Sequence, residues 1–351
     1  MSTLLPRLLA ERDVLLADGA MGTNLFQMGL KTGDAPEFWN IQHPERIAAL
    51  AQRFIDVGAD VLLTNSFGGN RYRLQLHQAQ DQVRTLNMAA ARIVRDRVSQ
   101  AGRDIVVAGS MGPTGEILAP NGPLTFDAAV DAFREQAQAL QAGGVDALWI
   151  ETLSSQEEVK AACAAAHETG LPTVYTLSID TNGRTMMGVT AADVVRLSTE
   201  MPGAACALGT NCGVGAAEVV AAIMNMKTAA AHLGINPVLV AKGNCGVPEY
   251  VDGKIVYNGT PELMARYACL ARDAGARIIG GCCGSTPAHI EAMRDALRDQ
   301  APSDPPDVDT LVAALGEISQ GARAQLGGDL SVAAGSVSGR SARRPRRSRQ
   351  A

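Results

Sequence analysis

Aromatic side chains are scarce in this chain, with two Trp, five Tyr and six Phe among 351 residues. Hydrophobic residues still make up 46% of it. The core must therefore be aliphatic, which suits a parallel sheet covered by helices better than a β-sandwich. No apolar stretch reaches the roughly 18 residues of a membrane span. The first residues meet charge at Arg7, Glu11, Arg12 and Asp13 before a signal-length apolar run forms. Both absences point to a cytoplasmic protein without membrane contact. Seven cysteines is an odd number, which argues against a disulfide framework and for a reducing compartment. Basic charge is also short where it would matter. Six arginines lie between Arg340 and Arg349, leaving the first 324 residues 25 bases against 35 acids, a net of −10. A body this acidic is no general nucleic-acid binder.

What is present is one phrase repeated. Short apolar runs at 14–17, 61–63, 105–107, 147–150, 173–177, 205–208, 238–241 and 277–279 are each followed by polar and glycine-rich residues. Helical patterns lie between them over 45–57, 81–101, 127–142, 155–169, 191–200, 216–233 and 261–274, with a last one at 287–298. Glycines such as Gly58, Gly102, Gly170 and Gly275 stop helices just ahead of the next strand, as helix C-caps do. Eight strand–helix units predict an α/β fold of the (β/α)8 TIM-barrel type over residues 1–299, with an open doubly wound sheet as the alternative. A barrel carries its site at the C-terminal ends of the strands, where the polar residues accumulate. Over 300–326 the apolar positions Leu311, Val312, Leu315 and Ile318 predict an amphipathic helix that docks on the barrel or on a second subunit of a homo-oligomer. Residues 327–351 turn to Gly, Ser, Ala and then Arg, the composition of a disordered tail.

The chemistry centres on Gly280-Gly281-Cys282-Cys283-Gly284, after the eighth strand. Adjacent cysteines are poorly placed to bond to each other. Between glycines, however, their thiolates can converge on a soft divalent metal such as zinc. A third thiol comes from Cys212 in Thr210-Asn211-Cys212-Gly213, after the sixth strand. Three protein thiolates and an open position describe a catalytic zinc better than a structural one. Packing is the bland reading of any one of these cysteines, and Cys245 after strand seven is a candidate fourth ligand. Cys163, Cys206 and Cys269 fall within helices or a strand and read as small buried hydrophobes.

Two carboxylates, Asp18 after strand one and Glu151 after strand four, sit at the same end. Together they suit an ammonium group, although capping is an alternative for Asp18. Thr64 and the backbone amides around Gly19 and Ala20 are placed to take a carboxylate. Metal for a thiol, acids for an amine and amides for a carboxylate would select a thiol-bearing amino acid.

The stretch Asp18 to Thr23, the Thr210-Asn211-Cys212-Gly213 stretch and the double-cysteine motif resemble the three signatures of the homocysteine S-methyltransferase family. The resemblance implies Zn2+ on Cys212, Cys282 and Cys283, with homocysteine held by Asp18, Gly19, Thr64 and Glu151. It also implies methyl transfer to the homocysteine thiol, giving methionine. Betaine is the expected donor, with Trp39, Phe67, Tyr72 and Asn244 as the donor pocket. A separate corrinoid protein carrying methylcobalamin and an S-methylmethionine-dependent enzyme are the alternatives, and Thr152 after Glu151 matches methionine synthase modules. A rival of another class is a non-catalytic zinc or thiol-redox protein.

Overall fold

A computed structural model describes residues 3–329, apart from 202, 204, 247, 252 and 253. Its main sheet has eight parallel strands: β1 (Leu15–Leu16), β2 (Val61–Leu63), β3 (Val106–Met111), β4 (Ala147–Leu153), β5 (Thr173–Leu177), β6 (Ala207–Cys212), β7 (Leu239–Gly243) and, after an inserted hairpin, β10 (Ala276–Gly281). The order β1-β10-β7-β6-β5-β4-β3-β2 leaves β1 and β2 at the two ends. A parallel bridge from Ala17 to Val61 joins those ends, with the Asp18 N–H donating to Val61 O at 3.0 Å. The sheet is thus a nearly closed barrel wrapped by helices, as the eight repeated units predict.

Strand side chains alternate between the two faces. Leu16, Leu62, Val107, Leu148 and Leu208 point outward into the layer under the helices. Leu15, Val61, Val106, Ala108, Trp149 and Val240 point inward. The inner cluster is closed by a feature absent from the sequence expectations, an N-terminal helix Leu4–Glu11. Its Leu5, Leu8 and Leu9 recur at helical spacing and pack on the inward side chains. Burying each leucine contributes roughly 1.5–3 kcal/mol. The Arg277 guanidinium ties the helix end to β10 by donating to the carbonyls of Leu9 and Arg12.

The eight long helices between and after the strands run Pro44–Asp56, Val83–Val98, Phe126–Gly143, Gln156–His167, Ala191–Glu200, Ala216–His232, Pro261–Asp273 and Pro287–Asp299. After β7 the chain makes an antiparallel hairpin, β8 (Pro248–Val251) with β9 (Lys254–Tyr257), which the sequence reading also lacks. In place of the single helix expected within 300–326 there are two, Val308–Leu315, ended at Gly316, and Gln320–Leu326. Leu311 is fully buried, and the first of these helices packs on Ala216–His232 and Pro261–Asp273 of the same chain. Most of the tail expected to be disordered, residues 330–351, lies outside the described residues. No helix among the described residues is long and apolar enough to cross a membrane.

Candidate functional site

The alternation that fills the barrel with apolar side chains also sets the layer above them. Two residues beyond the inward positions 108, 149 and 240 come Ser110, Glu151 and Lys242, and four beyond Ala207 comes Asn211, all buried. A polar layer therefore caps an apolar plug, and the strand-end loops build the site on it.

Cys212 ends β6 with φ +64°, a left-handed conformation unusual for a residue with a side chain. Cys282 and Cys283 follow β10. The glycines around them are required by space. A Cβ on Gly281 would lie 2.4 Å from Ser285 Cβ, and Gly284 has φ +82° with Tyr257 Cβ where its own would stand. The three sulfurs lie within 4.8 Å of one another, Cys212 to Cys283 at 4.0 Å. Thiolates about 2.3 Å from one tetrahedral centre stand roughly 3.8 Å apart, so this donor set fits zinc.

The thiols' acidity agrees with that fit. The Cys212 pKa is lowered by a hydrogen bond with Cys282, but contact with Cys283 and burial outweigh it and push it up to about 12. For Cys283 a bond with Cys212 lowers it, and the Cys282 thiol and charge bring it to about 12. Three thiols this crowded cannot all ionise unless a cation joins them.

Two asparagines hold the clamp. The Asn244 amide donates to Gly213 O at 2.6 Å, and its Oδ1 accepts from the Cys283 N–H at 3.0 Å, so it bridges the two cysteine loops. Asn211 accepts from the Thr152 N–H at 2.9 Å, donates to Thr152 Oγ1 at 2.7 Å and points an N–H at Cys282 Sγ, 3.8 Å away. Thr152 is also left-handed, at φ +64°. Asn244→Ala should therefore weaken zinc binding about 10–100-fold while leaving the fold intact, as measured by competition with a chromophoric chelator. Cys245 is absent from the cluster, because its sulfur faces Gly259 O at 3.0 Å.

Asp18 and Glu151 are both buried, and the same layer holds a third charged residue that the sequence did not reveal. The Lys242 ammonium is 2.7 Å from Asp18 Oδ1, with both side chains only 3% exposed. The other Asp18 oxygen accepts from the Leu63 N–H at 2.8 Å, and Glu151 Oε1 accepts from the Ser110 hydroxyl. Burial pushes both carboxyls above their ordinary range, against the pull of Lys242. Burial also works against the lysine's charge, but Asp18 and Glu151 outweigh it and hold its pKa above the ordinary value. Lys242 is thus an ammonium. Its only trace in the sequence is parity, since Lys242 stands two residues after Val240, whose side chain points inward.

The other expected residues are placed as follows. The Thr64 hydroxyl accepts from the Ser110 N–H at 3.0 Å and pairs with Ser66 Oγ at 2.6 Å, and the Thr64 N–H donates to Ala108 O. Gly19 packs so close to Ser285 O that a Cβ would stand 2.8 Å from it, while the next amide, of Ala20, donates to that oxygen. Trp39 is 5% exposed, with the Arg46 guanidinium 4.7 Å over its ring and His43 at its edge. Phe67 is exposed against Gly112, and Tyr72 lines a separate hollow with Arg71 and Glu135.

The fold and site together are a nearly closed (β/α)8 barrel with three converging thiols above a buried charged layer. The sequence pattern of the homocysteine S-methyltransferase family matches residues 15–297, and the chain belongs to that family. It is 30% identical over 304 residues to the methionine synthase of Mycobacterium tuberculosis and 29% over 309 residues to that of Mycobacterium leprae. Those alignments cover 81% and 82% of this chain but 24% of each relative, so the chain spans about a quarter of their length. Among solved structures, the metallated form of the Escherichia coli homocysteine methyltransferase MmuM superposes with a TM-score of 0.68 at 26% identity, over 83% of this chain and 99% of that one. Its oxidized form gives 0.69 at 26% identity, over 83% and 98%.

Proposed function

We propose that this protein transfers a methyl group to the thiol of homocysteine to form methionine, with Zn2+ held by Cys212, Cys282 and Cys283. The observation that carries this reading is the convergence of the three sulfurs beside the Asp18, Glu151 and Lys242 layer. Zinc bound there supplies acidity, since a thiol is mostly protonated at neutral pH and the thiolate is the nucleophile. The chain's own residues do the rest. Glu151 receives the substrate ammonium, the Gly19 segment faces its carboxylate, and Asn211 and Asn244 fix the sulfurs so that acceptor and donor meet in line.

Two donors are supported by different observations. Betaine, a quaternary ammonium, wants aromatic faces, and Phe67 and Tyr72 offer two. A methyl group carried by a separate corrinoid protein is supported by Thr152 after Glu151, by the Trp39 ring already being covered by Arg46, and by the methionine synthases among the relatives. We favour the corrinoid donor. The test is to supply zinc-loaded protein and homocysteine with methylcobalamin, betaine or S-methylmethionine in parallel and measure methionine. Turnover with methylcobalamin is expected. Turnover with betaine alone moves the donor site to Phe67 and Tyr72, and methionine from none of the three overturns the reading.

A further inference from the structure

Asp18 and Glu151 are two carboxylates in one water-poor layer, and such pairs ordinarily share a proton because both cannot ionise together. Here a third group intervenes. The Lys242 ammonium touches Asp18, and it faces Glu151 and the Cys282 side as well. Asp18 is saturated by this contact and by the Leu63 N–H. Glu151 has only the Ser110 hydroxyl as a direct partner among the described residues. The layer therefore carries one cation against two anions, and the unmatched negative charge falls on Glu151.

We propose that Lys242 is a positioning residue that replaces the proton the two carboxylates would otherwise share, so that the amino acid's ammonium meets an ionised Glu151. This rests on homocysteine being the acceptor. The charged and titratable groups facing Glu151 are Asp18 from the β1 end, Lys242 from β7 and Cys282 from the β10 end. Without Lys242, Asp18 and Glu151 hold a shared proton to higher pH, since burial raises both and the lysine's opposing charge is gone, and ammonium binding must first displace it. The apparent affinity then scales with the fraction of the pair that is fully ionised, which falls tenfold per pH unit below its pKa.

The test is homocysteine binding to zinc-loaded wild type, Lys242→Met and Lys242→Arg by calorimetry between pH 6 and 9, with KM and kcat measured alongside. Lys242→Met should bind at least tenfold more weakly at pH 7 and recover as pH rises, with the change in KM and little in kcat. Lys242→Arg should restore the wild-type pH profile. Wild-type affinity and pH dependence in Lys242→Met would overturn the proposal. Failure of the wild type itself to bind homocysteine would instead overturn the acceptor reading. If Lys242→Met does not fold, methionine binding to the wild type at pH 7 in buffers of different ionisation enthalpy answers the same question, since the product has no thiol proton. Release of less than about 0.2 proton per methionine is expected if Glu151 is already ionised, and release of close to one overturns the proposal.

Discussion

Cys212→Ala is expected to lose zinc and to lower kcat/KM for homocysteine by a thousandfold or more, about 4 kcal/mol of transition-state stabilisation. The remaining thiols, Cys282 and Cys283, are neighbours in sequence and approach the centre from one loop only. Cys212 arrives from β6 on the far side and is presented by a left-handed turn that Asn211 and Asn244 brace. Two ligands from one side do not make the three-thiolate site that keeps a position open. The matched control is Cys163→Ala, a buried thiol in the helix Gln156–His167, which should keep both zinc and activity. Metal content by atomic emission, with methionine formation on the same samples, checks both variants. A Cys212→Ala protein with full zinc would remove the three-sulfur site from the account.

Glu151→Gln is expected to keep zinc and lose homocysteine binding by roughly a hundredfold, about 3 kcal/mol for a buried charge-assisted contact. Glutamine preserves shape and the Ser110 contact but gives the substrate ammonium no charge to meet. The pH dependence distinguishes this from general damage. Burial raises the Glu151 pKa. A carboxylate that must be ionised supports binding above its pKa and loses it as pH falls through that value. Homocysteine affinity should thus drop on the acid side at a higher pH than an ordinary glutamate would give, and Glu151→Gln should lack that limb. Isothermal titration with zinc-loaded protein between pH 5 and 8 makes the comparison.

The barrel was legible because its grammar is local. Aliphatic runs such as Val106-Val107 and glycine stops such as Gly144, at φ +97°, mark strands and helix ends without reference to the rest of the chain. The three cysteines were legible for a similar reason, since two of them share one glycine-framed loop and the third ends a strand two places away in the ring. What was not legible depends on partners distant in sequence. Lys242 is in sequence simply the residue after an aliphatic strand, and only inward parity with Val240, together with the Asp18 contact across 224 residues, makes it a buried cation. Thr64 is expected from the sequence to take a carboxylate, yet Ser66 and Ser110 engage its hydroxyl. Asn244 is expected from the sequence in the donor pocket, and the structure has its amide bridging the Cys212 and Cys283 loops. The Leu4–Glu11 plug escaped because Pro6 within a short run hides a helix whose first turn tolerates proline.

The most direct measurement is X-ray absorption at the zinc edge on the loaded protein, with and without homocysteine. Three sulfurs at about 2.3 Å are expected in the resting protein and a fourth when homocysteine is added. Fewer than three sulfurs at rest, or an unchanged shell on adding homocysteine, would contradict the proposed function.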